Sequence, residues 1–211
     1  MVAGYIDVIG YLDLSIYTGA MTGNTAQLGI ELARGNWHIV TTIGLVLVAF
    51  FCGGIVSSII RRMMQPPVLE LLLMALLLLV AQVLRLAQNV SLRWELVLLA
   101  MAAAMQGETI SRFSGVALQT IVITNNLLKC AKAFVDYCAE HLCGAPRQGK
   151  GVHWAESALP GMAWVSYAIG AVSAALIVAR SDYPLIVPMI LLGLVIGFTL
   201  AFERGQAGKS E

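Results

Sequence analysis

Charge is what this sequence has least of. Of its 211 residues only 12% are Asp, Glu, Lys or Arg, against about 25% in an ordinary soluble domain. That deficit excludes a disordered chain, a charge-laced coiled coil and an ordinary nucleic-acid binder, each of which needs charge at high density. Basic residues are also missing at the start: MVAGYIDVIGYLDLSIYTG has no Lys or Arg ahead of its apolar stretch, and Asp7 and Asp13 interrupt that stretch. A secretory leader needs a basic beginning and a clean apolar core, so the segment is expected to belong to the mature protein. Only three histidines and four cysteines occur. Cys138, His141 and Cys143 form a C-x2-H-x-C cluster with His153 further on, a spacing that fits no standard zinc site, and neither a metal nor another cofactor is expected. Catalytic signatures of the G-x-S-x-G, H-E-x-x-H and P-loop types are missing. Ser111 and Ser114 have no base near them in sequence, so enzymatic activity is not expected.

What remains is apolar. Hydrophobic residues make up 59% and the mean hydropathy is +0.82, the composition of an integral membrane protein. Twenty glycines suit close helix packing and broken helices inside a bilayer. His38–Ile60 carries no charge from Ile39 to Ile60, and 22 residues make roughly 33 Å of helix against a hydrocarbon core of about 30 Å. Three further spans are read at Val68–Ala87 after Pro66-Pro67, Gly161–Ala179 and Pro184–Phe202.

Two regions are broken rather than continuous. In the first, apolar Tyr5–Tyr17 gives way to TGAMTGNT and then to a second piece ending at Arg34. In the second, Trp94–Glu108 leads through a looser stretch to ITNN at 123–126 and on to Glu140. The later piece of each region carries a polar stripe: Gln27, Glu31 and Arg34 in one, Lys129, Lys132, Asp136 and Glu140 in the other. Spacings of three and four put these groups on one helical face. Thr22 or Asn24, and Thr124 or Asn126, have the chemistry of N-caps for those helices.

The order broken segment, span, span therefore occurs twice, in residues 1–90 and 91–211 of a single membrane domain. The expectation is an all-α polytopic membrane protein with about six transmembrane segments and two internal repeats with broken helices. Three crossings per unit would invert the second repeat, the arrangement expected of a transporter; re-entrant segments would leave the repeats parallel. The balance of Lys and Arg under six crossings favours cytoplasmic termini and a multi-pass protein of the cell membrane.

AGYIDVIGYL at 3–12 and MTGNTAQLG at 21–29 resemble the YoaK family of small membrane proteins, a family defined as a domain of unknown function. The resemblance runs over nearly the whole chain. Its members share A-G-x-x-D-x-x-G-[YF] followed by M-T-G-N-T, and their second unit usually reads G-M-Q-N-A, an Arg, then T-x-x-T-G-T. This chain instead has A-M-Q-G-E at 104–108, Arg112 and Thr124-Asn125-Asn126. The resemblance implies a permease-type membrane protein and carries over no substrate.

Residues with chemistry inside an apolar frame are the candidate site. Thr22, Gly23, Asn24 and Thr25, with Thr124, Asn125 and Asn126 as the opposite half, would offer free N–H groups and polar side chains to a small anion; the plain alternative is caps at two bends. Gln106 lies beside them in this reading. Asp7, a carboxylate in a span, would carry a coupling proton or bind a cation, with Tyr11 on its face. Glu108 and Arg112 are read as a salt pair, a gate or a counter-charge. The expected function is a permease or secondary transporter of a small polar or anionic solute, with proton coupling. The alternatives are a channel-like facilitator and a non-transporting structural or sensory protein. Partners expected are the solute, membrane lipid and a second copy in a homodimer packed on small residues such as Gly193 and Gly197; nucleic acid is excluded.

Overall fold

The computed structural model describes residues 1–63, 68–87, 91–109, 112–113, 116–117, 123–143 and 154–207. They form eight helices and one minimal hairpin: α1 (Val2–Leu14), α2 (Met21–Ala33), α3 (Trp37–Met63), α4 (Val68–Leu86), α5 (Leu92–Thr109), β1 (Arg112–Phe113), β2 (Val116–Ala117), α6 (Ile123–Cys143), α7 (Trp154–Val178) and α8 (Ile186–Ala207). The hairpin pairs Arg112 with Ala117 and Phe113 with Val116.

Both broken segments are broken where the sequence turns small and polar. α1 stops at Ser15, which takes a left-handed conformation and donates its N–H to the Tyr11 carbonyl, while the Ile16 N–H donates to the Gly10 carbonyl. The chain then crosses residues 15–20 and restarts at Met21. In the second unit the break holds the hairpin. With 13 residues each, α1 and α2 reach only about 20 Å, too short for the hydrocarbon core. Three helices among the described residues are long and apolar enough to cross a membrane: Trp37–Met63, Val68–Leu86 and Ala158–Val178; Ile186–Ala201 is a shorter apolar stretch. The expectation of about six such segments is thus met by three: α1 and α2 are too short, while α5 (18 residues) and α6 (21 residues) are long enough but carry several charged residues. Large apolar side chains such as Phe51, Val172, Leu194 and Phe198 are exposed on these helices. In water such surface is a liability; in lipid it is the solvent contact. The molecule is an all-α, multi-pass membrane protein.

The helix packing repeats itself. Taking α1–α4 and α5–α8 as the two halves, α1 on α7 is matched by α5 on α3, α1 on α8 by α5 on α4, and α2 on α3 by α6 on α7. The remaining pairs across the halves, α1 on α5 and α4 on α8, join equivalent helices. Exchange of the halves therefore returns the same set of pairs between halves. Detail follows the same rule. A Cβ at Gly53 of α3 would lie 2.7 Å from the Met101 carbonyl oxygen of α5, and one at Gly170 of α7 would collide with the Met1 carbonyl oxygen at the start of α1. Each is a glycine on the third helix of one half, letting the first helix of the other half approach backbone to backbone.

α1 and α5 run antiparallel at the centre. Gly10 abuts Leu96, Gly19 beside Asp7 faces Ala103, and Arg85 joins Asp13 to Glu95. Advancing along α1 thus means retreating along α5. Tyr5, Ile6, Ile9, Leu78, Leu99, Ala103 and Met105 form the main core around this crossing, and Ile16, Ile43, Val46, Leu96 and Ala100 form a second cluster beside it.

Candidate functional site

Asp7 is buried, at 4% exposure, in the middle of α1. One oxygen accepts from the Thr18 hydroxyl at 3.0 Å and from the Gly19 N–H at 2.5 Å; the other accepts from the Tyr167 hydroxyl at 2.7 Å. The carboxylate thus ties the α1–α2 connection and α7 to α1. Three donors around one carboxylate satisfy both of its oxygens and compensate its burial. Gly19 sits where a side chain would press on this carboxylate, a Cβ there lying 3.4 Å from Asp7 Oδ1. Tyr11, expected on the same face, stacks instead on Tyr17 with ring centroids 4.9 Å apart and is exposed.

The M-T-G-N-T residues separate into two roles. Asn24 is fully buried. Its Oδ1 accepts from the Tyr17 N–H at 3.0 Å and its Nδ2 donates to the Tyr17 carbonyl at 2.6 Å, so the amide pairs with both backbone groups of one residue as a neighbouring strand would. Thr22, Gly23 and Thr25 are exposed on the first turn of α2; the Thr25 hydroxyl donates back to the Met21 carbonyl at 2.8 Å. The N-cap position is Ala20 and makes no side-chain cap bond, so the N-cap expectation for Thr22 or Asn24 is corrected: both lie inside the helix. Thr124 and Asn126 likewise lie inside α6, which starts at Ile123. Thr124 and Asn125 are exposed and Asn126 is buried. The helix pairs that pack extensively do not include α2 with α6; each rests on the third helix of its own half. Gln106 is 8% exposed, and its Oε1 has no hydrogen-bond partner. The side chains of Glu108, Arg112, Asp136, Cys138, Glu140, His141 and Cys143, and the residues Pro66-Pro67, Asn89 and His153, lie outside the described residues.

A charged cluster that sequence reasoning did not assemble lies where α1 ends and α5 begins. Arg85, near the end of α4, donates to both Asp13 oxygens at 2.8 and 3.1 Å and to Glu95 Oε1 at 2.7 Å. The Glu95 side chain is 3% exposed, those of Arg85 and Asp13 17% and 19%. Glu95 Oε2 has no partner. The available signal was arithmetic: three charges in otherwise apolar segments, summing to one negative. Two smaller nodes were also missed. Buried Glu70 accepts from the buried Ser57 hydroxyl and, at 3.4 Å, from Arg61, closing the α3–α4 elbow. Gln82 accepts from the Leu185 N–H at 3.0 Å and donates to the Asp182 carbonyl, holding the start of α8.

Among the described residues no group of three or more His, Cys, Asp and Glu side chains could hold a metal ion. The polar nodes instead fix helix ends and breaks in an apolar bundle. No solved structure matches the chain. Over 60 residues it is 37% identical to the UPF0700 transmembrane protein YoaK of Bacillus subtilis (strain 168), a stretch covering 28% of this chain and 27% of that protein. The family model described as a protein of unknown function, DUF1275, matches residues 1–198. Nearly the whole chain is matched, and it belongs to that family.

Proposed function

We propose that the protein is a permease-type secondary transporter of a small polar or anionic solute, built as an inverted repeat. The observation that carries this reading is the packing that survives exchange of the two halves, with α1 antiparallel to α5 at its centre. Antiparallel equivalent helices require a two-fold axis across them, which inverts one half relative to the other. Broken first segments and an inverted repeat let one half rock against the other around a central path. The candidate solute face is the start of α2, where Thr22, Gly23 and Thr25 are exposed, with Gln106 and the start of α6 as further polar groups. The same reading places both termini in the cytoplasm. It pairs two copies through the exposed face of α8, where Gly193 and Gly197 have no atom within 4 Å of an added Cβ.

The test is uptake into proteoliposomes, with and without a proton gradient, over a panel of small anionic and polar metabolites. Folded protein that moves none of them sinks the reading. Accumulation against a solute gradient when a proton gradient is imposed supports a coupled carrier, whereas mere dissipation of solute gradients supports a facilitator. Single-cysteine labelling checks the termini, and mass measurement in nanodiscs checks the dimer.

A further inference from the structure

We infer that Glu95 is an exchangeable proton site, and that the Arg85–Asp13–Glu95 cluster is balanced in charge only when Glu95 is protonated. Arg85 and Asp13 already form a complete pair, with both guanidinium N–H arms on both carboxylate oxygens. Glu95 adds a second carboxylate to the same guanidinium, through Oε1 alone. Its other oxygen is buried and meets no donor. An ionised Glu95 would leave one net negative charge in a region almost closed to water, with half of that carboxylate unsolvated. A neutral acid removes the net charge, and an unpaired neutral oxygen costs far less than an unpaired share of a charge.

Among the described residues no other element in contact supplies a compensating charge. α5 packs against α1, α3 and α4. Asp13 comes from α1 and Arg85 from α4, while the α3 residues clustered with neighbouring Leu96 are the apolar Ile43, Val46 and Ala49. Arg93 lies two residues before Glu95 on the same helix, and no hydrogen bond or ion pair joins the two. The site is reachable nonetheless. The side chains of Asp13 and Arg85 beside Glu95 are partly exposed, and they are its contact with solvent. The step is simple proton uptake: water or hydronium gives a proton to the Glu95 carboxylate, and no other bond changes.

Asp7 behaves differently. Both of its oxygens meet donors, so of the two buried acids on either side of the α1–α5 crossing, Glu95 is the one left with an unsatisfied oxygen. The link from this proton to solute movement rests on the transport reading above; the proton site itself does not, and its test reads no flux.

The experiment is an infrared pH titration of the full chain in nanodiscs. A protonated-carboxyl band is expected at neutral pH, lost on raising the pH and absent in Glu95→Gln. Asp13→Asn removes the competing carboxylate and frees Arg85 for Glu95, so the midpoint should fall by about one pH unit, a tenfold loss of proton affinity. Glu95→Gln mimics the neutral acid and should fold. If it fails to fold, the Asp13→Asn midpoint decides. A wild type with no such band at neutral pH, a band that persists unchanged in Glu95→Gln, or a midpoint unmoved by Asp13→Asn overturns the assignment.

Discussion

Replacing Asn24 with Ala separates a clamp from a ligand. Asn24 is fully buried and spends its amide on the backbone N–H and carbonyl of one residue, Tyr17, through bonds of 3.0 and 2.6 Å. Removing it deletes two hydrogen bonds worth about 0.5–1.5 kcal/mol each, and it orphans an N–H and a carbonyl in a partly buried connection. Together these give an expected loss of about 2–4 kcal/mol, a large share of a typical stability of about 5–15 kcal/mol. Thermal unfolding in mild detergent measures it. Asn24→Asp sharpens the test. Its Oδ1 still accepts the Tyr17 N–H, but the other oxygen faces the Tyr17 carbonyl and can satisfy it only when protonated. The folded state should then raise this acid's pKa above its unfolded value. The variant's extra stability is present at low pH and lost as pH rises through the folded pKa. An Asn24→Ala protein as stable as wild type, within about 0.5 kcal/mol, refutes the clamp; an Asn24→Asp protein with flat pH dependence refutes the geometry of the second bond.

Asp7→Ala should destabilise by about 3 kcal/mol or more, since it strands three donors of which two are buried. Tyr167→Phe removes one of those bonds and should cost about 1–2 kcal/mol; equal losses in the two variants would contradict the three-donor account. Gly53→Val and Gly170→Val should each cost about 1–3 kcal/mol or prevent folding, because the added carbon meets backbone of the facing helix, whereas Gly54→Ala, with no atom within 4 Å of its Cβ, should be neutral by thermal unfolding. Gln82→Leu should loosen the start of α8 by about 1–3 kcal/mol and raise hydrogen exchange at Leu185; unchanged exchange there would mean that Tyr5, whose hydroxyl also donates to the Pro184 carbonyl at 2.8 Å, holds the loop alone.

Composition and periodicity were enough to place this chain in a membrane and to locate its helices, because both are local. An uncharged run from Ile39 to Ile60 can hardly be anything but a helix in lipid, and α3 and α4 start and stop within a few residues of where charge or proline appears. The first break was legible for the same reason, though its place was not: the helix stops over residues 15–20, and MTGNT, read as part of the break, opens α2. The doubled order of segments was also visible, as a pattern along the chain. The partners of each polar group were not. Asn24 reads equally well as a cap or a ligand from its neighbours, and only the return of the chain past Tyr17 makes it a clamp. Asp7 looked like a free intramembrane acid until Tyr167, 160 positions away, was brought to it. Arg85, Asp13 and Glu95 lie on three different helices, and their meeting depends on α1 running antiparallel to α5. Helix formation is decided by neighbours three and four residues apart. Charge compensation in a low-dielectric bundle is decided by whichever helices pack together, and that is a property of the tertiary structure alone.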